Sequence, residues 1–295
     1  MARMTCVLAL LALSAGAARA DDDDGGPRDS NPFYRLDTKN LFGALEGADV
    51  GEAGGKSLEL ETTGALFKRR GRYAFVEQEA ILEFTPNARL GIEFGLHAFG
   101  QSIRGVPDTP NYSGVNLSGV SNEWRYVLAP RGGAWETQAT LTLTPQWASL
   151  FEGGAQGQDF GLPLLFILDA QPIPRRLYAD INLLYEPDVS RVRGEAWARA
   201  SAFTASGALS WRFTPATMLG AQLDFANTFD GLAAQTWRGS ALFFGPTFHY
   251  QFNDKVDLSG AWTSQIAGGA PGAASALNLT EFTRSRAKLR LEIDF

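Results

Sequence analysis

Arg286-Ala287-Lys288-Leu289-Arg290-Leu291-Glu292-Ile293-Asp294-Phe295 closes the sequence on a strict alternation. Ala287, Leu289, Leu291, Ile293 and Phe295 fall on one parity; Arg286, Lys288, Arg290, Glu292 and Asp294 fall on the other. Successive side chains of a strand point to opposite faces, so this stretch predicts a β-strand with one apolar and one charged face. The same period of two runs upstream. Leu90, Ile92, Phe94, Leu96 and Ala98 alternate with Gly91, Glu93, Gly95 and His97, and Leu177, Ala179, Ile181, Leu183 and Tyr185 alternate with Tyr178, Asp180, Asn182 and Leu184. Twelve strands are predicted, over 57–67, 72–84, 89–100, 121–129, 134–144, 159–170, 176–186, 195–213, 217–227, 237–252, 256–266 and 284–295. The stretch 159–170 is unusual in being apolar on both faces.

The connections differ in kind. Thr85-Pro86-Asn87-Ala88, Pro130-Arg131-Gly132-Gly133, Pro172–Arg175, Thr214-Pro215-Ala216 and Asn253-Asp254-Lys255 carry the chemistry of tight turns. The pieces between them, 101–120, 145–158, 187–194, 228–236 and 267–283, are longer. Short turns at one end and long loops at the other predict an all-β fold, a transmembrane up-and-down antiparallel β-barrel of about twelve strands spanning 57–295, its short turns in the periplasm. Bulky rings on the apolar parity extend this reading. Trp211, Phe213, Phe244, Phe248, Tyr250, Phe252 and Phe295 are expected at the periplasmic rim, and Trp124, Tyr185, Phe225 and Trp262 at the opposite one. The alternative is a secreted soluble β-protein whose aromatic stripes form a core.

Met1–Ala20 reads as a cleaved signal peptide: Arg3, an apolar stretch over Val7–Leu13, then Ala18-Arg19-Ala20. Cys6, the single cysteine among 295 residues, would leave with it. Residues 21–56 are acidic and glycine-rich and are expected to form a flexible periplasmic lead-in or, through Leu41-Phe42-Gly43-Ala44-Leu45, a small plug. Asp21–Asp24 reads as solvated charge.

Composition narrows the function. A net charge of −6 and a pI near 5.1 argue against a nucleic-acid partner. Mean hydropathy is −0.12, and beyond residue 20 no run approaches the ~18 apolar residues a spanning helix needs. Two histidines, His97 and His249, without a retained cysteine make a catalytic zinc site unexpected, and no metal or other cofactor is implied.

The alternation ending on Phe295 resembles the closing strand of bacterial outer-membrane β-barrels. That resemblance implies a Gram-negative outer membrane, a lipid surround, and Phe295 as the signal read by the barrel-assembly machinery. Phe244-Gly245-Pro246-Thr247-Phe248-His249-Tyr250 and Asn182-Leu183-Leu184-Tyr185-Glu186-Pro187 are similar to stretches of alphaproteobacterial porin-type proteins, including the phenol-degradation-pathway outer-membrane group. An outer-membrane phospholipase would require a lipid-facing His-x-Ser. His97 is followed by Ala98-Phe99 and His249 by Tyr250-Gln251, so no catalytic residue is assigned and a non-enzyme is expected.

The polar parity carries Glu59, Glu61, Glu77, Glu79, Glu83 and Glu93, with Arg89 and His97, on the first three strands, and Arg286, Lys288 and Arg290 on the last. Closure would set basic and acidic rows side by side in the lumen. They form either a transverse field that selects solutes or a lattice of salt bridges that satisfies a polar interior. The expected function is passive passage of small solutes, with Glu59, Glu61, Glu77, Glu79, Glu93, Arg286, Lys288 and Arg290 lining the pore and loop 101–120 folding inward or binding at the surface. The alternatives are uptake of hydrophobic or aromatic compounds, or a closed structural or adhesive barrel.

Overall fold

The computed structural model describes residues 38–272 and 275–295; the expected signal peptide and Asp21–Asp24 lie outside them. Fourteen strand segments follow in order: β1 (Lys56–Leu66), β2 (Arg72–Asn87), β3 (Leu90–Arg104), β4 (Tyr112–Gly132), β5 (Thr137–Leu143), β6 (Gln146–Leu150), β7 (Gln156–Gly161), β8 (Leu164–Ile173), β9 (Leu177–Val192), β10 (Ala198–Thr214), β11 (Thr217–Asp230), β12 (Thr236–Asn253), β13 (Val256–Gly269) and β14 (Ser285–Asp294). They make twelve staves, because β5 with β6 and β7 with β8 are each one stave interrupted by a proline. β4 pairs with both β5 and β6, and β9 with both β8 and β7. Pro145 and Pro163 have no N–H to give the ladder. Their carbonyls still accept from Asn122 (3.0 Å) and Thr144 (2.9 Å), so the wall stays joined across both breaks. All pairings are antiparallel, and β14 pairs with β1 through Leu58–Ile293, Leu60–Leu291 and Glu61–Arg290, which closes the barrel.

Parity decides which way each side chain points. Leu82, Phe94, Leu209 and Phe244 stand outward and exposed, while Glu59, Glu79, Glu93, Glu123, Arg125 and Arg290 are buried inward. A soluble protein would reverse this. An apolar exterior around a charged interior fits a lipid surround, where the closed ladder satisfies every strand's backbone groups. Trp211, Phe213, Tyr250 and Phe252 lie close to the short turns as expected. Three expected rim positions move. Phe244 pairs with Leu223 and Ser264 in mid-strand. Trp262, two residues to the short-turn side of Ser264, stands in the middle of β13. Trp124 pairs with Ile92, the third residue of β3, and so stands on the short-turn half.

The loops are shorter than expected, because strand continues into them. β4 begins at Tyr112, and β6 and β7 form a hairpin around a single 3-10 turn at Glu152–Gly154. Loop 101–120 therefore does not exist as an inward-folding element; only 105–111 separates β3 from β4. Residues 275–284 of the last connection fold inward. Phe282 is buried against Phe243, Ala226 and Ala241, with the two rings 6.2 Å apart edge to face.

Candidate functional site

Thr38–Val50 lies inside the barrel near the short-turn end. The segment is first tied to itself. Asp49 Oδ2 accepts from the Thr38 N–H (2.9 Å) and hydroxyl (2.8 Å), and the Gly47 N–H donates to the Lys39 carbonyl (2.9 Å). Gly43 takes φ +74°, and a Cβ there would come within 2.7 Å of the Gly260 carbonyl and of Thr247. Only glycine turns the chain at that point without strain or collision.

The closed segment presents apolar side chains to one side of the lumen. Leu41, Phe42 and Leu45 are buried against Tyr178, Ala208 and Met218, and Ala48 against Leu165, Ile167 and Leu184. The second contact accounts for the two-faced apolar character of 159–170: Leu165 and Ile167 point inward and seat the segment. Its backbone is satisfied by strand side chains. Asn182 accepts from the Glu46 N–H (3.0 Å) and donates to its carbonyl (2.9 Å). Asp169 accepts from Ala48 (3.0 Å), Gln222 accepts from Ala44 (3.2 Å), and Ser210 donates to the Leu41 carbonyl (3.1 Å). Buried backbone groups need such partners. Here they come from several different strands.

Charge completes the seat. The Glu46 carboxylate meets Arg125 (3.1 Å), Lys288 (3.5 Å) and Arg290. Arg290 also reaches Glu59 (3.2 Å) and Glu61 (3.4 Å), and Lys288 reaches Glu61 (2.7 Å). Lys39 crosses the lumen to Glu93 (2.8 Å) and Glu83 (3.5 Å). Asn40 bridges Glu292 and Arg290, and Arg131 joins Asp49 (2.8 Å) to Asp169 (3.0 Å). Burial alone would push the Glu46 carboxyl up; Arg290, Lys288 and Arg125 outweigh it and hold the group below its ordinary value. Burial alone would lower the Lys39 ammonium; Glu83 and Glu93 outweigh it and raise the group.

Above the segment His97 sits between Glu77 (3.2 Å) and Glu79 (3.1 Å), and Glu79 accepts from the Ser121 hydroxyl (3.0 Å). The serine donates to the carboxylate rather than to the imidazole. That order does not activate a nucleophile, which needs its base adjacent. Farther toward the long loops, Lys68 pairs with Glu152 (3.0 Å) and Glu281 with Arg238 (3.0 Å). Between Ala44 below and Phe282 above lies a narrow chamber whose wall includes Tyr73, Phe75, Ala261, Arg286 and Lys288.

The eight residues expected to line the pore all fall on the inner side. Glu59, Glu61, Lys288 and Arg290 form one network with Glu46, Glu93 pairs with Lys39, and Glu77 and Glu79 flank His97. Arg286 stands apart, half-buried over the Phe243 ring (3.9 Å to its centroid). Arg89, placed by alternation on the same face, instead sits exposed in the β2–β3 turn. Lys39, Glu46, Asp49, Arg125 and Arg131 were missed. Arg125 alternates inward with Glu123 and was open to the same parity argument. The other four had no local signal, because the groups they meet lie far along the chain.

Residues 35–295 match DUF6662, a family of unknown function, and the chain belongs to that family. No curated protein matches the sequence. Among solved structures, the COG4313 outer membrane channel from Pseudomonas putida F1 is similar with a TM-score of 0.54 at 12% identity, covering 84% of this chain and 98% of that one. The NanC porin gives 0.48 at 8% identity over 81% and 100%, and the KdgM porin 0.44 at 10% over 81% and 99%. At these identities the likeness is one of fold.

Proposed function

We propose that this DUF6662 member is an outer-membrane channel, passing small solutes passively through a narrow, charge-lined lumen, and that residues 38–50 are its gate. The carrying observation is how that segment is held. It fills the lumen through side-chain hydrogen bonds, ion pairs and apolar contacts, and it forms no stave of the wall. Such a segment can leave while every ladder stays intact. Glu59, Glu61, Glu77, Glu79, Glu93, Arg286, Lys288 and Arg290 would then line the exposed path and set its ion preference. The export signal, the barrel-assembly machinery and the absence of covalent chemistry belong to the same reading.

The test is conductance of the mature protein in a planar bilayer under a salt gradient, with Glu46→Gln beside it. Discrete steps that become frequent in the variant support a gated channel. A folded barrel that never conducts in either form leaves the structural or adhesive reading. Uptake of apolar or aromatic compounds is favoured by one observation, the apolar wall of the chamber between Ala44 and Phe282.

A further inference from the structure

The chamber between the 38–50 segment and the inward loop has room for one small molecule. Its cavity volume is about 60 Å³. One water needs roughly 10–15 Å³ on that scale, so the space equals about five waters; at roughly 30 Å³ of liquid each, these match the ~150 Å³ cavity that binds a benzene ring. Its wall is mainly apolar: Tyr73, Phe75, Phe282, and the methyl groups of Ala65 and Ala261.

The charged residues of this wall are engaged with one exception. Lys68 is held by Glu152 (3.0 Å), Lys288 by Glu61 (2.7 Å), Glu77 by His97 (3.2 Å) and Glu281 by Arg238 (3.0 Å). Arg286 has no ion pair or hydrogen bond among the described residues. Asp224 and Glu186 face it without closing a pair. Its guanidinium lies over the Phe243 ring at 3.9 Å and near Phe282 at 5.8 Å. No hydrogen bond among the described residues engages its planar N–H fork, the group that holds a carboxylate bidentately.

We propose that this chamber is a binding site for a small monocarboxylate with a ring-sized apolar body, its carboxylate on Arg286 and its body against Phe75 and Phe282. The proposal rests on the channel reading for the ligand's way in and names a class of solute for it. Its chemistry is tested separately by equilibrium binding. Mature protein in detergent is titrated with benzoate, benzyl alcohol and acetate by calorimetry. Benzoate is expected to bind saturably at one site, with benzyl alcohol and acetate each weaker by roughly 10-fold or more. Arg286→Gln should weaken benzoate by about 10- to 100-fold and leave benzyl alcohol unchanged. Arg286→Lys, which keeps the charge without the fork, should fall between, and it serves if the Gln variant loses heat-modifiable gel mobility. Absence of saturable benzoate binding, benzyl alcohol binding as tightly as benzoate, or affinity unaffected by either substitution would overturn the site. None of these results touches conductance, on which the channel reading stands or falls.

Discussion

Glu46→Gln removes a charge that three cations share while leaving the side chain's size intact. Taking one partner from a buried ion pair costs about 3–5 kcal/mol. The lower end applies here, since Arg290 keeps Glu59 and Glu61, Lys288 keeps Glu61, and Arg125 keeps Glu123. The apolar seat survives: Leu41, Phe42 and Leu45 remain buried, each worth about 1.5–3 kcal/mol. The segment therefore stays seated most of the time, and a loss of about 3 kcal/mol raises its unseated population roughly 100-fold. Ala48→Cys provides the reporter. Ala48 is fully buried, the change is small, and the only native cysteine is Cys6, in the expected signal peptide. A water-soluble maleimide reacts with the introduced thiol only when the segment leaves, so its labelling rate follows the unseated fraction. The rate should rise about 100-fold in the Glu46→Gln background. An unchanged rate, in a barrel whose heat-modifiable mobility is normal, would refute the claim that Glu46 holds the segment.

Three further outcomes are expected. The Glu46 carboxyl is held below its ordinary 4.5, so its contribution to the seat is full above that value and is lost as pH falls through the depressed one. Lys39 is raised above 10.5, so its contribution is full below that value and is lost as pH climbs through the raised one; open probability in a planar bilayer should be lowest between the two limits. Gly43→Ala puts a Cβ within 2.7 Å of the Gly260 carbonyl at φ +74°, a backbone conformation costing about 1–2 kcal/mol before any collision; it should speed maleimide labelling in the Ala48→Cys background without altering heat-modifiable mobility. Replacing Arg286, Lys288 and Arg290 together by Gln should shift reversal potentials toward cation preference, and an unchanged preference in a conducting barrel would remove their role in selectivity.

What the sequence discloses here is set by how local each determinant is. The period of two in Leu177–Tyr185 or Ala287–Phe295 is a property of neighbouring residues, so the staves were legible from it. The start of β4 was not. Ser118 is an extra residue opposite the His97–Ala98 step, and this bulge switches the outward parity from Val115 and Leu117 to Val120 and Trp124. Alternation read through that point cancels itself, which hid Tyr112–Gly119. Pro145 likewise made the continuation of its stave look like a loop. The site is harder still. Lys39 and Glu46 sit in a segment without period, and their partners Glu93, Arg125, Lys288 and Arg290 lie 54 to 244 positions away. Nothing beside them in the chain records those meetings.

The contact of Asn40 with Arg290 spans 250 positions, nearly the whole distance between the ends of the chain. It joins a segment that precedes β1 to a strand that follows all the others. The seat for residues 38–50 includes Lys288, Arg290 and Glu292, and none of these is in place until β14 has docked against β1. A stretch made early in synthesis meets partners on β2–β4 and β8–β11 but lacks those on β14 until the last strand arrives, and an unsealed wall offers it no complete socket. Complete seating is in that sense a record of closure: the segment has its full set of contacts only in a ring that is whole.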